Sequence, residues 1–410
     1  MGMLANLRSV VRFRKIEWNS TSRRLRRAAN IDDLRLLAKR RLPGGVFDYI
    51  DGAAEDEITA MRNTQAFRDL EFRPRILRDV SSLDTSTDIL GKTAAFPLVL
   101  APTGFSRIAC SPGELAVAVA AERAGIPYTL SSLSTRSIEE VRAVSNGVLW
   151  FQVYVWLDRG LQAEMLERAA AAEYSTIVIT VDTAVLGRRE RDVRRGFSLP
   201  PKIGLDTVID GMLHPGWTWD FLRHEPIRFA NVVGKSVGDG SDPVSLSDFI
   251  SSQFDPSLSW KDIEWFRERW KGNIVLKGVQ TVQDATIAAD HDVQAIALSN
   301  HGGRQLDGSP PPIELVAPVV DAVGDRLEVM CDGGLRRGSD IAKAVALGAT
   351  ASMAGRAYLY GLGAAGERGV DHALCLLGDE FRRTLALIGC TSVSNLSRDY
   401  VQHVGRGEAS

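Results

Sequence analysis

The 410-residue chain reads as an α/β protein, a closed (β/α)8 TIM barrel with a basic N-terminal extension and a long loop after the fourth strand. Three observations predict it. From Phe96 onward, eight short apolar runs each give way to a stretch of helical periodicity. The runs are nearly continuous and mostly rich in β-branched residues, as parallel strands buried on both faces are. Each run ends in polar residues or glycines, which is how the catalytic rim of a barrel is built. Eight such units favour a closed barrel, although periodicity alone leaves a doubly wound open sheet as an alternative.

In order, residues 1–30 form a basic arm: Arg8, Arg12, Arg14, Lys15, Arg23, Arg24, Arg26 and Arg27 stand against the single acid Glu17. Such a start reads as a solvated lead-in, a transit peptide or an arm lying on anionic lipid. Residues 31–401 form the barrel domain. Its strands are expected at FPLVLAP, PYTLSS, LWFQVYV, TIVITVD, NIVLKGV, AIALSN, LEVMCDGG and ATASMAGR. Amphipathic stretches such as GELAVAVAAERAG and GSDIAKAVALG lie between them. One connection breaks the rhythm: after Asp182 no helix is expected until about Trp260, leaving a loop over residues 183–258. Most βα loops take about 2–6 residues. This one holds RRERDVRR and the apolar Met212, Leu213, Trp217, Trp219 and Phe221. It reads as a lid on the barrel, or as a surface for lipid or another subunit. Residues 402–410 are a tail. The segment GLGAAG (361–366) matches G-x-G-x-x-G, but the helical pattern after it lacks the second strand that a dinucleotide site requires.

A formal charge of −2 excludes a chain built to coat nucleic acid. Cys110, Cys331, Cys375 and Cys390 are scattered without metal-ligand spacing, which points to a reducing, cytoplasmic setting and no metal site. No apolar run reaches the ~20 residues of a membrane span. Peripheral contact with the inner face of a membrane is compatible with this.

The chemistry centres on Ser299–Asp307, SNHGGRQLD, at the end of the sixth run. A strand end needs neither a histidine nor an arginine. Alone, His301 reads as a structural histidine; with Asp182 on another strand end it reads as a base held in one orientation. Arg304 offers a bidentate fork for a carboxylate and Arg189 a second grip, although each alone reads as a surface charge. The combination implies an acid whose α-position faces a base. No side chain can accept the two electrons of its oxidation, so a redox cofactor is required. Gly333-Gly334 and Gly355-Arg356, with Arg336, form a phosphate cradle on the last two strands. Lys277 brings positive charge into the mouth. A flavin fits both.

These residues resemble the FMN-dependent L-2-hydroxy acid dehydrogenases and oxidases. SNHGGRQLD, FDYIDGAAEDE, APTG, FQVYV, TVDT, LGRRERD, LKGV, DGGLRRGSD and GRAYLYGL fall in that family's order from about Asn30 to Val401. The resemblance implies His301 as base with Asp182, and Tyr49, Arg189 and Arg304 on the substrate carboxylate. Tyr154 would bond the hydroxyl or keto oxygen. FMN would be met by Thr103, Gly104, Ser131, Gln152, Thr180, Lys277 and Ser299, its ribityl chain by Asp332, and its phosphate by Gly334, Arg336, Gly355 and Arg356. Leu133 and Gly104 depart from the glycolate oxidase pattern, which has Trp and Ala there. Gly104, the long loop and FDPSLSWKDIEW look more like the respiratory L-lactate dehydrogenases. The resemblance therefore implies L-lactate as substrate, a quinone or other carrier as acceptor, and a homotetramer. An oxidase that makes hydrogen peroxide, a mandelate-type dehydrogenase, a silent barrel and a non-redox phosphate-binding barrel are the competing readings.

Overall fold

A computed structural model describes residues 18–195, 204–232 and 253–404. The eight expected runs are the eight strands of a closed parallel barrel: β1 (Leu98–Leu100), β2 (Tyr128–Ser131), β3 (Leu149–Tyr154), β4 (Thr176–Thr180), β5 (Asn273–Val279), β6 (Ala295–Ser299), β7 (Glu328–Asp332) and β8 (Ala351–Ala354). They pair in chain order, and β8 closes on β1 with Ser352 opposite Leu98. Trp150, Val178, Val275, Met330 and Met353 are buried in one cluster with Val99 and Ala297. Ile89 and Ala94, from the short antiparallel pair Thr87–Ile89 and Lys92–Ala94, join the same cluster. The interior is thus a packed core, and chemistry is left to the rim. Register aligns the polar strand ends there: Ser131 with Gln152, Tyr154 with Thr180, Thr180 with Lys277, and Asp332 with Ser299.

Three boundaries differ from expectation. The basic arm is not wholly separate: a helix over Ser20–Leu25 buries Leu25, and Ala28 joins the core. Arg8, Arg12, Arg14 and Lys15 lie outside the described residues. The tail begins later, because Val401–His403 pairs with Leu70–Phe72 as a two-stranded sheet. The long loop carries helices of its own at Glu190–Arg194, Leu205–Leu213 and Pro215–Arg223, well before Trp260–Arg269.

GLGAAG has a structural role. A Cβ on Gly361 would lie 2.3 Å from the Gly369 carbonyl oxygen, and one on Gly369 would lie 1.9 Å from that of Gly361. The helices Arg356–Ala365 and Glu367–Leu387 therefore cross backbone to backbone. Gly369→Ala is expected to cost about 1–3 kcal/mol through overpacking and to lower Tm by several degrees. Gly378→Ala on the same helix, whose Cβ meets only Phe96 at 3.6 Å or beyond, should leave Tm unchanged or raise it. Equal behaviour of the two variants in thermal melts would contradict this packing.

Candidate active site

At the rim, His301 follows β6 with φ 56°, and Gly302 and Gly303 continue at 65° and 76°. This left-handed run is costly for a histidine and turns its ring across the barrel mouth. His301 Nδ1 lies 3.0 Å from Asp182 Oδ1, and the Asp182 side chain is almost fully buried. Burial alone would raise the Asp182 pKa, but the charge and hydrogen bond of His301, with Lys277 beyond, hold it below the usual carboxylate range. An anionic Asp182 keeps Nδ1 as a donor and leaves Nε2 as the ring's acceptor.

Arg304 and Arg189 line the same cavity, which has a volume of about 350 Å³. Arg304 Nη1 donates to the carbonyls of Tyr49 (2.8 Å) and Gly52 (2.9 Å), and its guanidinium lies over the Tyr49 ring. Burial, then the like charge of Arg189, bring its pKa down to about 9. Arg189 Nε is buried with no hydrogen-bond partner among the described residues. The two cations, with the Asp192 carboxylate acting on both, make a corner that can hold a substrate carboxylate. Tyr154 lies on the wall, and burial and the neighbouring Asp182 push its phenol pKa up, so that it remains a donor.

An adjoining part of the cavity can take a phosphate, and it meets the Arg304 corner at Gly52, whose carbonyl accepts from both guanidiniums. Arg356 donates to the carbonyls of Ile50, Gly302 and Gly52, and among the described residues it pairs with no carboxylate. The helix it begins has Gly355 as N-cap, with no side chain satisfying the first-turn N–H groups. Such a terminus favours an anion. Arg336 lies beside it over the Tyr360 ring, and Gly334 takes φ 85° where a Cβ would strike Asn63. Between the two corners, Lys277 Nζ meets Asp332 at 2.6 Å and Ser299 Oγ at 2.9 Å. Thr103, Gly104 and Thr180 line the floor. Ser131 and Gln152 stand one layer deeper, linked through Gln152 to Thr180 Oγ1 at 2.9 Å. Asp182 and Ser299 likewise act from behind the lining. A flat, phosphorylated redox cofactor fits this shape and donor set.

The sequence model of the FMN-dependent dehydrogenases matches residues 38–403. The chain belongs to the FMN-dependent dehydrogenase family. Its cofactor is FMN, and the unpaired Arg356 and the uncapped helix start are what such a phosphate requires. The (S)-mandelate dehydrogenase of Pseudomonas putida is 42% identical over 92% of this chain and 94% of its own. The L-lactate dehydrogenase of Caulobacter vibrioides (strain NA1000 / CB15N) is 42% identical over 89% of this chain and 95% of its own. A crystal structure of the monotopic membrane protein (S)-mandelate dehydrogenase superposes with a TM-score of 0.89 at 42% identity, covering 92% of this chain and all of that one. This FMN-dependent dehydrogenase therefore oxidises a 2-hydroxy acid.

Sequence reading missed part of its cavity. Phe229 and Phe254 reach in from the long loop, at 5.4 Å from the Phe105 ring and 5.0 Å from the Tyr154 ring respectively. Asp192 and Leu186 also line it. Phe105 itself sits at φ 62°, a left-handed conformation rarely adopted by a bulky residue. Only the aromatic excess of the loop hinted at this wall.

Proposed function

We propose that this enzyme oxidises an L-2-hydroxy acid with an apolar side chain, L-lactate foremost, and passes the electrons to a quinone. The observation that carries the reading is the Asp182-oriented His301 on one cavity with Arg189 and Arg304. Arg304, Arg189 and Tyr49 bind the carboxylate, and Tyr154 donates to the substrate oxygen. His301 Nε2 takes a proton from the bound acid, while Asp182 stabilises the imidazolium. FMN, when bound, supplies the acceptor for the two electrons. Arg336, Arg356, Gly334 and Gly355 hold its phosphate, Asp332 the ribityl chain, and Lys277 with Ser299, Thr180, Gln152, Ser131, Thr103 and Gly104 the ring. Leu133, Phe105, Phe229 and Phe254 exclude water from the reacting carbon.

That aromatic wall favours a second substrate, a bulkier mandelate-type acid, since rings add stacking to burial. Anaerobic stopped-flow reduction with L-lactate, D-lactate and (S)-mandelate tests both. Fast reduction by either L-configured acid supports the reading. Reduction by D-lactate alone, or by none, contradicts it.

The quinone assignment rests on the paired helices Leu205–Leu213 and Pro215–Arg223. Met212, Leu213 and Leu222 are 72%, 73% and 71% exposed, beside the exposed Trp219. Trp217 instead turns inward and donates to the Ile108 carbonyl at 2.7 Å. Among the described residues no helix is long and apolar enough to cross a membrane. An interfacial hairpin is the form of attachment this favours. Met212→Glu with Leu213→Glu should release the enzyme from phospholipid vesicles and slow reduction of a long-chain quinone. The rate with a soluble dye acceptor should stay constant. Vesicle binding that survives, or peroxide formed at the turnover rate, would contradict membrane-bound quinone as acceptor. The fully exposed Leu77 (99%) beside Ile76 supports self-association into a homo-oligomer.

A further inference from the structure

The left-handed run at His301–Gly303 is held from outside the barrel. The helix Ile58–Arg68 precedes every barrel strand, yet its N-terminal half, Ile58 to Asn63, meets the SNHGGRQLD loop. Asp307 accepts from the Ile58 and Thr59 N–H groups at 3.2 and 2.7 Å, and Thr59 Oγ1 accepts from those of Gly308 and Ser309 at 2.7 and 3.1 Å. A Cβ on Gly303 would lie 2.7 Å from the Ala60 nitrogen. At the centre, two buried carboxamides bond reciprocally: Asn63 Nδ2 donates to Asn300 Oδ1 at 2.8 Å, and Asn300 Nδ2 to Asn63 Oδ1 at 2.7 Å. Asn300 Oδ1 also accepts from the Gly303 N–H at 3.1 Å, and its Nδ2 donates to the Pro310 carbonyl at 3.0 Å. Asn300 thus uses both donors and both acceptor sites, spanning the loop that turns His301.

We infer that Asn63 is a positioning residue for the oxidation step: its carboxamide fixes Asn300, and through it the angle of His301 to Asp182 and to the bound acid. This rests on the assignment of His301 as base. Without that pair, Asn300 is free to leave Gly303, and the left-handed His301 relaxes toward ordinary backbone. The reacting geometry tolerates little: a misplacement of about 1 Å lowers a rate by roughly 10²-fold. The Asn63 backbone has a separate task. Its carbonyl oxygen stands 2.2 Å from where a Cβ on Gly334 would be, so main chain packs on the phosphate cradle. A side-chain substitution should leave that contact in place. The carboxamide's hydrogen bonds thus serve the base, while the backbone makes the closer approach to the cradle, where Nδ2 stands 3.4 Å from the position of a Gly333 Cβ.

The test is anaerobic stopped-flow reduction of Asn63→Ala and Asn63→Ser holoenzymes by L-lactate and by (S)-mandelate, with His301→Gln run alongside. Serine keeps a hydroxyl donor for Asn300 Oδ1 and serves if the alanine variant does not fold. The first-order rate constant should fall roughly 10- to 100-fold in Asn63→Ala and by less in Asn63→Ser. Half-saturating substrate and FMN retention should change by less than about threefold, since the carboxamide's hydrogen bonds go to Asn300 and the closest approach to the cradle is made by backbone. A merely structural role lowers the amplitude, by leaving fewer competent molecules, and leaves the rate constant as in the wild type. That result in the folded variant overturns the inference. If His301→Gln is also reduced at the wild-type rate, the base assignment fails with it. If His301→Gln is slow and both Asn63 variants are not, only the inference about Asn63 fails.

Discussion

His301→Gln is expected to retain FMN and to be reduced by substrate at least ~10²-fold more slowly than the wild type, the lower end for loss of a general base. Glutamine keeps a polar side chain of similar reach but cannot take a proton at neutral pH. Gly334, Arg336, Gly355 and Arg356 make no contact with the His301 side chain, since Arg356 meets that loop only at the Gly302 carbonyl, and FMN should be held unchanged. Rapid-mixing absorbance gives the rate constant, and the flavin-to-protein ratio gives retention. An unchanged rate constant would remove His301 from the chemistry and leave its bond to Asp182 a structural one.

Arg304→Met should act on affinity. Two charge-assisted contacts to a carboxylate, each about 1.5–3 kcal/mol, are lost together, and a rise in the substrate dissociation constant of at least roughly 10²-fold follows. The neighbouring Arg189 limits the effect by keeping one cation in the corner. Arg304→Lys restores the charge but not the fork or both carbonyl contacts to Tyr49 and Gly52, so it should recover only part of the affinity. Titration of the oxidised enzyme with a non-reacting 2-keto acid measures this without turnover. Equal affinity in wild type and Arg304→Met would place the carboxylate elsewhere.

The barrel was legible because its signal is local and repeated. Each strand is a short run buried on both faces, and each ends at the rim where His301, Lys277, Asp332 and Thr180 converge. The elements that proved hard lack such a signal. Pro215 falls in the segment expected to be a long loop without a helix before about Trp260. In the structure it stands at the first position of a helix, where a missing N–H costs nothing. Phe229 and Phe254 reach the cavity only through the path of an insertion, which no periodicity encodes. Asn63 is more distant still, lying 237 residues before its partner Asn300. Its segment ITAMRNTQAFR looks like any amphipathic helix. Non-local pairs of this kind emerge only from tertiary packing, whereas residues clustered within one βα loop can be read from the chain.

The most direct measurement is an anaerobic absorbance spectrum of the purified protein before and after addition of L-lactate or (S)-mandelate. A yellow protein is expected, its visible bands bleaching within seconds with at least one of the two acids. A colourless protein that takes up no FMN, or a yellow one left oxidised by both, would contradict this expectation.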